Sequence, residues 1–194
     1  FLSVAILPWW WFIKSVNAST KIFRGSRGGL TFSTLPPQIW VMRTVLSSAI
    51  EFVFSLPVIV LAIALTQDLP GIYILFFPVA FILQFLLLYG IGLLVSSLSV
   101  IIPDLARVVK IVLRAMFYLS PILYSISNIP EQMQTVAAVN PLVGILGLYR
   151  IGWWPEEQTS TTALAISLGV AAILFIAGIF TFHRLKPRLL KEAK

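Results

Sequence analysis

The chain has 194 residues, of which 59% are hydrophobic and 11% charged, and its mean hydropathy is +0.97. A soluble domain carries about 25% charge, so this composition specifies an integral membrane protein. The formal charge of +7 comes from basic residues beside apolar runs, which is a pattern of membrane topology and not of nucleic-acid binding, and the absence of cysteine excludes disulfides, Cys-ligated zinc and iron–sulfur clusters.

The first apolar run, Phe1 to Ile13, is too short to span, and no basic region precedes it as a signal peptide would require. It reads as the inner end of a span, over 1–16, whose beginning is missing. A basic segment follows over 17–43, with Lys21, Arg24, Arg27 and Arg43. Four full-length apolar runs come next, at 44–66, 71–102, 105–127 and 161–182, each meeting the roughly 20 residues a spanning helix needs. The second is over-long and is expected to tilt, to kink at Pro78 or to extend beyond the bilayer. The residues at 183–194 form a basic tail in which His183, the only histidine, reads as interfacial. Gly90, Gly92 and Ser96 form a small-residue pattern that lets helices approach closely.

Charge and parity set the topology. If the four runs cross alternately, the basic residues before the first, at the start of the third (Arg107, Lys110) and after the fourth all share one side. The positive-inside rule makes that side cytoplasmic. The opposite side holds Asp68, Glu131, Glu156 and Glu157, with Arg150 as its basic residue. Between the third and fourth runs, Pro121, Pro130 and Pro141 cut an apolar stretch into pieces, and Leu142 to Pro155 is too short to cross. If it did cross, the basic tail would lie outside. The segment at 128–160 is therefore expected to dip into the outer leaflet and return, or to lie along its surface, and broken helices at membrane depth occur where protein or a cavity surrounds them. The expected fold is an all-α polytopic membrane bundle with a re-entrant helical hairpin on the outer face.

The hairpin also carries a family pattern. SPILYSISNIPE at 120–131, NPL at 140–142 and the closing Tyr149-Arg150, approached through PDLARVVKIVLRAMFYLSP, resemble the permeases of ABC-2 type polysaccharide exporters. PWWWF at 8–12 is similar to the end of that family's second span. The resemblance implies a single transmembrane domain that pairs with a second copy and with cytoplasmic ATP-binding subunits. Such an assembly exports a lipid-linked or nascent glycan, such as an O-antigen or teichoic acid, across the bacterial plasma membrane. It implies no catalysis and no cofactor in this chain. ATP and Mg would be bound by the partner, and the sequence has no G-x-x-x-x-G-K-[ST] phosphate loop. The proline-bounded hairpin is expected to act as an outer gate, with Ser120, Pro121, Tyr124, Pro130, Glu131, Asn140, Pro141 and Arg150 as its residues. Two other readings stay open. One is an ABC-2 exporter of drugs or small lipids, whose outer segment would lack the SPILYS run. The other is a membrane enzyme acting on lipid-linked sugars, which would need clustered Asp, Glu or His.

Several residues have two readings each. Lys21, Phe23, Arg24 and Arg27, with Asp104 and Arg107, would form the element that couples to the ATPase, or else a basic loop held at anionic headgroups. Glu51 and Arg114 each lie about two turns into a span, where an isolated charge costs about 2.5–3.5 kcal/mol. They would pair with each other or line a cavity; alternatively Arg114 snorkels and Glu51 meets the hydroxyls of Ser47 or Ser48. Phe117, Tyr118 and Tyr124 would stack on passing sugars, or simply pack and form an interfacial belt. No metal site is expected.

Overall fold

The computed structural model describes residues 2–23, 36–66, 71–122, 137, 139–154 and 160–192. The described residues form helices and turns, with no strand: α1 (Leu2–Ser19), α2 (Pro37–Thr66), a 3₁₀ turn (Ile72–Leu75), α3 (Phe76–Ile101), α4 (Leu105–Leu119), α5 (Pro141–Arg150) and α6 (Thr161–Glu192). Three helical segments among them are long and apolar enough to cross a membrane, at Pro37–Val58, Ile72–Ile101 and Thr161–Pro187.

Side-chain register gives the helix directions. Pro8, Trp11 and Ser19 of α1 meet Gln84, Phe81 and Gly92 of α3, so these two helices run parallel. Trp11 also meets Val45 and Phe52 of α2, which runs antiparallel to both. α6 runs parallel to α3, since Gly90 meets Phe175 and Gly178 while Leu93 packs near Phe182. This order gathers Lys21, Arg43, Arg107, Arg184 and Lys186 at one end of the bundle, over a cluster of Val41, Leu93, Phe182 and Leu189.

Several predicted boundaries shift, each for a local reason. The helix expected over 105–127 stops at Leu119, after 15 residues. Pro121 disfavours helical backbone at the residue before it, and Ser120 is extended at φ −89° and ψ 141°. At about 22 Å this helix is shorter than the roughly 30 Å hydrocarbon core. Pro78 does not kink its span. The α-helical part begins at Phe76 after the 3₁₀ turn, so Pro78 sits in the first turn, where a missing N–H costs nothing. α1 continues to Ser19, α2 begins at Pro37 and α6 continues to Glu192. Residues 17–19, 37–43 and 183–192, expected outside the spans, are thus helical extensions of them.

The small residues of α3 serve different neighbours. A Cβ on Gly90 would collide with the Phe175 backbone and one on Gly178 with the Gly90 carbonyl, so α3 and α6 touch backbone to backbone. Gly92, two residues on, faces Val41 and Ser19 instead. Gly178→Leu is therefore expected to force these helices apart at a cost of at least about 1–3 kcal/mol. A lowered melting temperature of the purified protein, with no such loss for Gly169→Leu in open space, would show it.

Candidate functional site

Two regions concentrate polar chemistry inside this apolar bundle. The first lies where α4 ends and α5 begins, at the end opposite the basic cluster. Asn140 caps α5: its backbone is extended, its Oδ1 accepts from the Leu142 N–H at 3.0 Å, and Pro141 occupies the first turn. The amide Nδ2 of Asn140 donates to Ser120 Oγ at 2.7 Å, and that hydroxyl donates to the Met116 carbonyl at 2.6 Å. One asparagine thus ties the end of α4 to the start of α5. The Ser167 hydroxyl of α6 accepts the Gly144 N–H at 2.9 Å and faces the carbonyls of Asn140 and Pro141 at 3.1 and 2.9 Å. A Cβ on Gly144 would come within 2.8 Å of Ser167 Cβ, so only glycine lets α6 approach this closely.

Arg150 closes the knot. It is 2% exposed, sits at the C-terminus of α5, and its Nη2 donates to the Ile122 carbonyl at 2.9 Å. The basic residue of the 128–160 segment is thus an internal tie. α5 is 10 residues long, about 15 Å, with nearly every residue buried. Its Tyr149 ring meets Phe77 and Phe52 edge-on, and Gly71 donates its N–H to the Gly152 carbonyl at 2.8 Å. Ser120, Pro121, Asn140 and Pro141 thus lie together where α4 meets α5, with Arg150 tied in through Ile122 and with Ser167 and Gly144 added. Tyr124, Pro130 and Glu131 lie outside the described residues.

The second region is a groove between α1 and α2, about 540 Å³ in volume, lined by Trp10, Trp11, Lys14, Ser48, Glu51 and Ser55. Lys14 donates to the Glu51 carboxylate. This corrects the proposed pairing of Glu51 with Arg114. α1 lies between α2 and α4, and Arg114 is on the exposed face of α4. By sequence Lys14 groups with the basic residues ahead of the first full span, but α1 continues past it to Ser19, which places it within the helix beside Glu51. A connected hollow of about 380 Å³ leads to the basic end past Thr44, Arg43 and Trp40, where the Arg43 guanidinium lies 5.6 Å from the indole centre. Of the two hydroxyls weighed for Glu51, that of Ser48 donates back to the Thr44 carbonyl of its own helix.

The remaining expected residues scatter. Phe117 is half-buried with its ring 5.7 Å from Trp9, whereas its neighbour Tyr118 is exposed. Lys21 is exposed at the basic end, and Phe23 is held there with its ring 6.2 Å from Phe182. Asp104 and Arg107 are exposed and 3.8 Å apart. Arg24 and Arg27 lie outside the described residues. Gln84 was not singled out from sequence. It is buried in α3 and donates to the Pro8 carbonyl at 2.7 Å, and a lone amide in an apolar run was the signal available. Among the described residues no three His, Cys, Asp or Glu side chains gather as a metal site would need.

Residues 30–154, from the basic segment through α5, match the ABC-2 type transporter family. The chain belongs to the ABC-2 type transporter family. Similar proteins extend the match over nearly the whole ABC-2 chain. The O-antigen export system permease protein RfbA of Klebsiella pneumoniae is 26% identical over 189 residues, covering 97% of this chain and 73% of that protein. The protein of the same name from Myxococcus xanthus is 27% identical, covering 94% and 71%. The polysialic acid transport protein KpsM of Escherichia coli is 22% identical, covering 91% and 70%. The knot and the groove are thus features of an ABC-2 transmembrane domain.

Proposed function

We propose that this chain is the membrane-spanning permease subunit of an ATP-driven exporter that moves a polysaccharide or lipid-linked glycan across the bacterial plasma membrane. The observation that carries the reading is the similarity, over more than nine-tenths of the chain, to permeases named for O-antigen export and polysialic acid transport. The groove adds chemical support, because indole faces beside a polar pair suit passing sugar rings.

In this reading two copies enclose the path, and separate ATP-binding subunits dock at the basic end with ATP and Mg. Lys21 to Arg27 and the Asp104–Arg107 corner receive the motion of those subunits. Phe23, packed on Phe182, passes it to α6. The α5 segment is one arm of a re-entrant hairpin, a role its short length and near-complete burial support. Its knot of hydrogen bonds holds the outer gate closed until the helices part.

Inactivating the gene in its host is expected to abolish one surface glycan and to leave the lipid-linked precursor in the cytoplasmic leaflet. Immunoblots of surface glycan and extraction of the lipid fraction would measure both. Unchanged surface glycan, or efflux of a small drug restored by the cloned gene, would overturn the reading.

A further inference from the structure

We infer that the open face shared by α2, α1 and α4 conducts a substrate bearing anionic groups, with Lys110 and Arg114 as its charge-reading residues. The inference rests on the export reading and adds the chemical class of what is exported.

Arg107, Lys110 and Arg114 recur at spacings of three and four, so they form one stripe along α4, and all three are exposed. Phe117 continues the stripe and touches Trp9 of α1. The other flank of α4, with Leu105, Val109, Val112 and Met116, lines a different, apolar cleft of about 580 Å³ shared with α3, α6 and the Phe12–Val16 side of α1. The basic stripe therefore borders the exposed strip of α1 that carries Trp10 and Lys14, and not the apolar cleft.

Register fixes its depth. Phe117 lies level with Trp9 and Trp11 lies level with Phe81, which places Arg114 at about the depth of the Lys14–Glu51 pair, inside the span of α3. Cations at that depth face water or a polar partner and not hydrocarbon. The carboxylates nearby are engaged, Glu51 by Lys14 and Asp104 by Arg107. Among the described residues, Lys110 and Arg114 meet neither of them. A neutral glycan offers such groups only hydroxyls. A carboxylate or phosphate offers a charge-assisted, bidentate acceptor for the guanidinium. Bilayer headgroups carry the same charge, but they lie at the membrane surface while the stripe climbs to mid-depth, and the far end of α4 is tied into the bundle through Ser120 and Asn140.

The test uses the assembled transporter, with its ATP-binding subunits, in neutral phosphatidylcholine nanodiscs. Binding of oligogalacturonate is compared with that of malto-oligosaccharide of equal length. The expected result is a preference of about tenfold for the carboxylated probe, weakening as salt rises and abolished in Lys110→Gln/Arg114→Gln. Equal binding of the two probes, or a preference that survives the double substitution, overturns the inference. So does a preference that appears only when phosphatidylglycerol is added, since that assigns the stripe to bilayer headgroups. If the double variant does not assemble, Arg114→Lys and the salt dependence of the unaltered protein decide. Loss of the export reading would appear separately, as unchanged surface glycan on gene inactivation.

Discussion

Arg150→Met is expected to loosen the α5 end of the bundle, lowering the melting temperature of the purified protein and opening the 119–154 region to protease. The reason is local. The Ile122 carbonyl is buried and accepts from the Arg150 guanidinium, so removing the donor strands that acceptor at a cost of about 1–3 kcal/mol. Methionine fills much of the volume, so the loss reads the hydrogen bonding and not a cavity. Arg150→Lys should recover only part of it, because an ammonium lacks the planar fork that satisfies several acceptors in fixed geometry. The same knot holds the proposed gate, so export is expected to fail in parallel with the melting shift. A methionine variant that melts like the unaltered protein would remove Arg150 from the knot.

Glu51→Gln is expected to reduce the amount of membrane-inserted protein several-fold, and Lys14→Met introduced with it to restore most of that loss. The single change leaves Lys14 charged at mid-depth, worth about 2.5–3.5 kcal/mol on an insertion scale, whereas the double change leaves no charge. Membrane-fraction immunoblots of the two single variants and the double variant form a cycle. Additive losses would show that the two groups act independently. If Arg114 were the true partner of Glu51, Arg114→Gln would rescue in place of Lys14→Met.

Composition and charge were enough for the membrane class and the common side of the basic residues, while the resemblance to the family rests on the SPILYSISNIPE, NPL and Tyr149-Arg150 motifs. These features are local or summed along the chain. A run of apolar residues is long enough to cross whatever it packs against, and Lys21, Arg107 and Lys186 report their side through their neighbours in sequence. Asn140-Pro141 was legible as a boundary because an asparagine followed by a first-turn proline starts a helix from its own chemistry. Pro121 is visible too: it keeps Ser120 extended, and the third helix therefore ends at Leu119, short of the apolar run's end.

What only the tertiary structure decided was which polar groups meet. Lys14 finds Glu51 across 37 positions of sequence, and Ser167 finds Pro141 at the start of α5 across 26. Neither pairing leaves a periodic trace, because each depends on how two helices slide and rotate against each other. That register is set by backbone contacts such as Gly90 on Gly178, where the absence of a side chain determines the fit. The sequence by itself determined that Arg150 is basic and closes the segment after Pro141; only packing made it an internal tie, since α5 is enclosed by the bundle and its end meets the buried Ile122 carbonyl.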